Sequence, residues 1–165
     1  MNSYSPADWG SFFVAIVSGA AALTGLLFVA VSINLQAIVK YGKVLPARAA
    51  ETLACLLFVM ISAALALVPQ DTRLLGLEIL AIGLPLLTII VGTQLRHRRQ
   101  NPYSPVYWVV SRMTASAAAL VPGTLAGLSL ALHWGGGFYW LVPTAVGGIA
   151  GSAWSAWVLL VEIIR

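Results

Sequence analysis

Few residues in this chain of 165 could do chemistry, and those that could lie in oily surroundings. Glu78 is the clearest case. It sits inside RLLGLEILAIGLPLL, residues 73–87, as the one carboxylate of the stretch. A charge in hydrocarbon is costly, and such residues often mark an ion or proton site. Two side chains are placed to meet it. Arg73 is five residues back, a poor helical spacing, but it can fold over from the interface. His133 ends another apolar run at similar depth. Glu78 also lies only about 6 Å from the end of its helix, at 1.5 Å per residue. That shallow position favours a carboxylate anchored near the surface over a transport site. Glu78, His133 and Arg73 are the candidate ion-path or buried polar residues.

Arg112 and Glu162 form the second constellation. Arg112 lies about two turns inside one apolar run, and Glu162 about one turn from the end of the next. The two runs are joined by a short loop, so they should be antiparallel neighbours. These positions predict a buried Arg112–Glu162 ion pair. Glu51 either joins it or pairs locally with Arg48.

Catalytic and cofactor chemistry find little to stand on. The sequence has no HExxH, no GxSxG and no paired intramembrane aspartates, and an enzyme is the weakest expectation. His97 and His133 should fall on opposite membrane faces and cannot share a metal or haem; no cofactor is expected. The single Cys55 excludes a disulfide framework and a four-thiolate zinc site within one chain. Gly135 to Gly137 lack the following Lys-Ser/Thr of a phosphate loop and read as a tight turn. The RHRR stretch, with Arg96, Arg98 and Arg99, reads as a contact for anionic lipid headgroups rather than for nucleic acid.

The elements that position these residues follow from composition. The chain is 60% hydrophobic and 8% charged, with a mean hydropathy of +0.93. Soluble domains carry about 25% charged residues. So much apolar surface needs lipid as its solvent, and a span needs about 20 apolar residues. Five runs qualify, over residues 11–38, 48–68, 74–95, 106–132 and 138–164. The breaks between them carry Gly, Pro and charge, and Ser104-Pro105 reads as a helix start. The expected fold is a single all-α domain, a bundle of five transmembrane helices. Its length and lack of a basic flank set the first run apart from a cleaved signal peptide. Pro85 and Pro122-Gly123 interrupt the third and fourth runs.

Orientation follows from Lys and Arg. Lys40, Lys43, Arg48, Arg96, Arg98, Arg99, Arg112 and Arg165 lie toward one side, and Arg73 alone toward the other. The N-terminus should be outside and the C-terminus cytoplasmic, with Trp9, Trp134, Tyr139 and Trp140 in an outer aromatic belt.

Helices in lipid associate through small residues that let backbones approach. Small or polar stripes at steps of three and four occur on every span. They run through Ser18, Ala22, Gly25, Ser32 and Gln36; through Glu51, Cys55 and Ser62; and through Glu78, Ala81, Pro85, Thr88 and Gly92. On the last two spans they run through Arg112, Ser116, Ala119, Gly123 and Gly127, and through Thr144, Gly148, Gly151, Ser155 and Glu162. Gly147 and Gly151 add a GxxxG. These stripes should face protein, with Gly123, Gly127, Gly147, Gly148, Gly151 and Ser155 as the main packing residues.

One resemblance is carried by FFVAIVSGAAALTGLLFVAVSINL in the first span and RAAETL, residues 48–53, in the second. This portion resembles small bacterial membrane proteins common in actinobacteria, some labelled modulator of FtsH protease. The likeness covers about a third of the chain and implies a bacterial plasma-membrane protein. The expected function is a structural or regulatory membrane subunit that docks helices against a membrane-protein partner or a second copy of itself. The alternative is a small oligomeric ion or proton channel or transporter using Glu78. Asn34, near the inner end of the first span, has no assigned role.

Overall fold

The computed structural model describes residues 3–36, 44–100 and 106–164. Among them are five α-helices: α1 (Gly10–Ile33), α2 (Val44–Leu67), α3 (Thr72–Gln100), α4 (Val106–Leu132) and α5 (Leu141–Ile164). Short 3₁₀ turns, Pro6–Trp9 and Gly137–Trp140, precede α1 and α5. The described residues contain no strand. The all-helical architecture expected from the apolar runs is what forms. Four helices are long and apolar enough to cross a membrane, over Gly10–Ile33, Pro46–Leu67, Thr72–Arg99 and Val110–Leu132. Even the shortest, 22 residues, spans about 33 Å, against a hydrocarbon core of about 30 Å. This is a membrane protein.

Local chemistry explains the helix ends. Asp71 accepts a hydrogen bond from the Arg73 N–H at 3.3 Å and caps the start of α3. Asn34, unassigned in the sequence, caps the end of α1: its backbone and side-chain N–H groups both donate to the Ala30 carbonyl. The α3 helix continues to Gln100, beyond the break expected at Arg96. No proline intervenes before Pro102, and the cationic side chains of Arg98 and Arg99 suit a helix C-terminus. The expected cap at Ser104 lies outside the described residues.

The helices form a row in the order α1, α2, α5, α4, α3, with α2 also reaching across to α4 and α3. The core lies along α2, α4 and the inner face of α3. Phe58, Leu75, Ile79, Leu120 and Leu130 are fully buried there, joined by Phe13 from α1 and Phe138 from the turn before α5. Phe58 fills a slot between α3 and α4 that is open only because residues 83 and 123 are glycines. At the end of the bundle near the N-terminus, Trp9 packs against Phe12, Phe13, Phe138 and Tyr139. Trp9 is 5% exposed, so it belongs to the core and not to an interfacial belt. Trp134, Tyr139 and Trp140 remain exposed.

The stripes divide in two. On α2, α4 and α5 the small and polar residues face inward, with Cys55, Ser62, Ser116, Ala119, Thr144 and Ser155 all buried. The stripes of α1 and α3 do not follow that expectation. The inward face of α1 is Phe13, Ala20 and Leu27, and Ser18, Ala22, Gly25, Ser32 and Gln36 are exposed. On α3 the inward face is Leu75, Gly76, Ile79, Gly83 and Ile90, while Ala81, Pro85 and Thr88 are exposed. Both are end helices of the row, with no neighbour on the outer side among the described residues.

Candidate functional site

A polar cluster lies between α2, α3, α4 and α5. Its centre is Glu51 on α2. Arg112 on α4 grips it in a fork: Nε donates to Oε2 and Nη2 to Oε1, each at 2.6 Å. Both side chains are 12% exposed. Two residues of α3 complete the carboxylate's shell. The Gln94 amide donates to Oε2 at 3.2 Å; the Thr93 hydroxyl lies 3.3 Å from Oε1 and shares its single proton with the Ile90 carbonyl, its nearer acceptor at 2.8 Å. Gln94, itself buried, also donates to Ser116 Oγ at 3.0 Å.

This arrangement answers the main cost of burying an ion pair. Desolvation can exceed the Coulombic gain unless the geometry is good and further hydrogen bonds fill the remaining lone pairs. A bidentate guanidinium–carboxylate fork supplies the first, and the Gln94 amide supplies the second. The cluster therefore fastens three helices at one level of the bundle. The α5 helix approaches through Ser152 and Ser155, each 5% exposed. These serines line a small cavity of about 20 Å³ together with Arg48, Thr52, Cys55 and the Glu51–Arg112 pair.

Among the described residues the partner of Arg112 is Glu51, the expected possible third member of the cluster, across 61 residues of sequence. The side chain of Glu162 lies outside the described residues. Loop adjacency pointed to α5, but α2 lies against both α4 and α5. The signal in the sequence was the third polar residue, Gln94, set in an apolar run at the same end of the bundle.

Glu78 has a different setting. Its carboxylate accepts a hydrogen bond from Gln70 Nε2 at 2.8 Å, and Gln70 also reaches the Leu65 carbonyl. Neither expected partner meets Glu78. Arg73 is exposed, and His133 hydrogen-bonds to Thr72 Oγ1 at 3.0 Å while stacking on Tyr4. Helical spacing could not find Gln70, because it sits in the turn before α3. A neutral amide at the rim makes a modest contact. Glu78→Gln is therefore expected to lower stability by no more than about 1 kcal/mol, measured by thermal unfolding in detergent; a larger loss would show a charge partner.

The turn between α4 and α5 reads as expected from its glycines. Gly135, Gly136 and Gly137 all have positive φ, as does His133 at 52°. Gly137 additionally admits the N-terminal tail: a Cβ there would strike the Ser3 carbonyl, which instead accepts the Phe138 N–H at 2.9 Å.

The predicted packing residues lie at helix crossings. A Cβ on Gly147 would run into the Ala118 carbonyl. Pro122, four residues on, has no N–H to bond that carbonyl. Gly148 packs on Val59, Gly151 on Ala115, and Gly127 on Gly76 and Leu80. Gly123 receives the Phe58 ring. Arg96, Arg98 and Arg99 are exposed on the last turns of α3. Among the described residues no group of three His, Cys, Asp or Glu is arranged to hold a metal.

Compared with protein-family models, curated proteins and solved structures, the chain matches none.

Proposed function

We propose that this chain is a structural or regulatory membrane subunit that works by helix–helix association, and that α1 is its docking helix. One observation carries the reading. Ser11, Ala15, Ser18, Ala22, Gly25, Val29 and Ser32 follow one another at alternating steps of four and three, with Gln36 continuing the series, and every one is exposed. That is the spacing of a helix-pairing seam. Only 11% of the α1 membrane window is buried, against 44% for α2. Elsewhere in the bundle, the glycines at helix crossings meet a neighbouring helix; a Cβ on Gly19 or Gly25 would meet nothing within 4 Å.

Small residues permit close backbone approach, which drives association where lipid offers no hydrophobic contrast. The seam carries no charge, so two copies of α1 can face each other without repulsion. The proposed partner is a second copy, paired through α1. The reading extends to five spans, with α5 as the fifth and the N-terminus outside in the bacterial plasma membrane, and Arg96, Arg98 and Arg99 set at anionic headgroups on the inner face. An ion path through Glu78 gains little from the geometry. The carboxylate is engaged by Gln70 at the rim, and Phe58 fills the middle of the bundle.

The test is cysteine cross-linking in native membranes. The sole natural cysteine, Cys55, is buried. Ala22→Cys and Ser18→Cys are expected to give covalent dimers on mild oxidation. Leu26→Cys, exposed but off the seam, is expected to give far less. Equal cross-linking around α1, or none, would refute the seam.

A further inference from the structure

A groove of about 240 Å³ runs between α4 and α5. Its walls are Ala115 and Ala118 on one helix and Gly147, Ala150 and Gly151 on the other, with Trp154 along one edge. Ala118, Ala150 and Trp154 are exposed, so the groove opens outward, and no described residue covers it. The cavity beside Glu51 measures only about 20 Å³.

Lipid is the solvent at this groove. The α4 helix crosses the membrane over Val110–Leu132. The groove begins one residue inside that span, at Ser111, and runs to Ala118, about 10 Å along the axis at 1.5 Å per residue. Left empty, it would forfeit the dispersion contacts of its lining. Walls of alanine, glycine and tryptophan offer water little to bond. A helix with its side chains is about 10–12 Å thick. It cannot enter between two helices whose backbones meet at Gly147 and Ala118. A hydrocarbon tail, a single file of methylenes, can.

The two ends of the groove differ. Ser111 and Thr114 form its polar end. The contacts of Gly83 with Thr124 and of Gly76 with Ala131 show that α3 and α4 run antiparallel. The Gln94–Ser116 hydrogen bond fixes their register toward that end. Arg99 and Ser111 each lie five residues beyond this bond, about 7.5 Å in the same direction. Arg98 and Arg99 are therefore level with the polar end, and both are exposed where the Thr72–Arg99 span ends. Long cationic side chains can lie along apolar surface and keep their charge at the interface. Glu51, the acid described at this end, is already held by Arg112. The arrangement is a thin apolar slot with cations level with its mouth, which is the complement of a lipid with an anionic head.

We propose that the groove between α4 and α5 seats one tail of an anionic phospholipid whose phosphate lies at Arg98 and Arg99. The inference rests on the reading of these arginines as headgroup contacts and adds the seat of the tail. It does not involve α1.

The test uses the full chain in vesicles of equal parts phosphatidylglycerol and phosphatidylcholine with identical tails. After gentle detergent extraction, native mass spectrometry should find one phosphatidylglycerol held per chain once phosphatidylcholine has been stripped. Ala150→Phe fills the groove from an exposed position and is expected to lose that lipid. Arg98→Gln/Arg99→Gln is expected to hold the two lipids alike. Fluorescence locates the tail without altering the groove's small residues. A minor fraction of phosphatidylglycerol brominated along its tails should quench Trp154 more than Trp157, which is exposed on the same helix outside the groove. The two contributions are read from Trp154→Phe and Trp157→Phe. Trp154 quenched no more than Trp157 would overturn the proposal, whether or not Ala150→Phe folds. Phosphatidylglycerol lost from the arginine variant but kept by Ala150→Phe would remove the tail seat and leave the headgroup reading standing. A wild type that holds both lipids equally would overturn the two together.

Discussion

Replacing Arg112 with leucine is expected to destabilise the bundle by about 3–5 kcal/mol, the usual cost of leaving a buried charge without its partner. The carboxylate of Glu51 would keep only neutral donors, the Gln94 amide at 3.2 Å and the Thr93 hydroxyl that it shares with the Ile90 carbonyl. The single variant Glu51→Leu is expected to be comparably harmful, since it strands the guanidinium. Removing both charges is a different experiment. A buried pair replaced by apolar side chains of similar volume is often neutral or even stabilising. The double variant Glu51→Leu/Arg112→Leu should therefore recover most of the loss. Unfolding in mixed detergent, run on all four proteins, measures the coupling directly. Single variants as stable as the wild type would mean that the fork carries no stability.

The second large effect is at Gly147. Leucine there would drive its side chain into the backbone of α4 at Ala118. Backbone cannot move aside as a flexible side chain can, so the cost should reach or exceed the upper end of the 1–3 kcal/mol usual for overpacking. The contrast is Gly25→Leu on α1, where nothing lies within 4 Å. That variant should leave the unfolding of the single chain nearly unchanged and abolish the cross-linked dimer. The same chemical change thus separates the two kinds of interface: at Gly147 it breaks the fold, and at Gly25 it breaks only the proposed pairing. Loss of folded protein at Gly25, or none at Gly147, would reverse that assignment.

Much of this protein was legible in its residues alone. Apolar run length decides a helix in lipid, because a backbone with no water to bond must satisfy itself within the segment. The Val106–Leu132 helix accordingly matches the apolar run at both ends. Glycine turns are equally local, and the turn at Gly135 was readable for that reason.

Which helices touch was decided by the tertiary structure. Burial on a face depends on what stands opposite, and a small-residue stripe looks the same whether its neighbour belongs to the same chain or to another. The stripes of α4 and α5 meet each other, whereas that of α1 has nothing opposite it among the described residues. That Glu51 pairs with Arg112, and not only locally with Arg48, was open in the sequence for the same reason. Loop length makes consecutive helices neighbours, but it says nothing about α2 lying across both α4 and α5. Sequence determined the elements because their energetics are local. Packing chose the ion pair, the cavity and the open face because those depend on helices far apart in the chain.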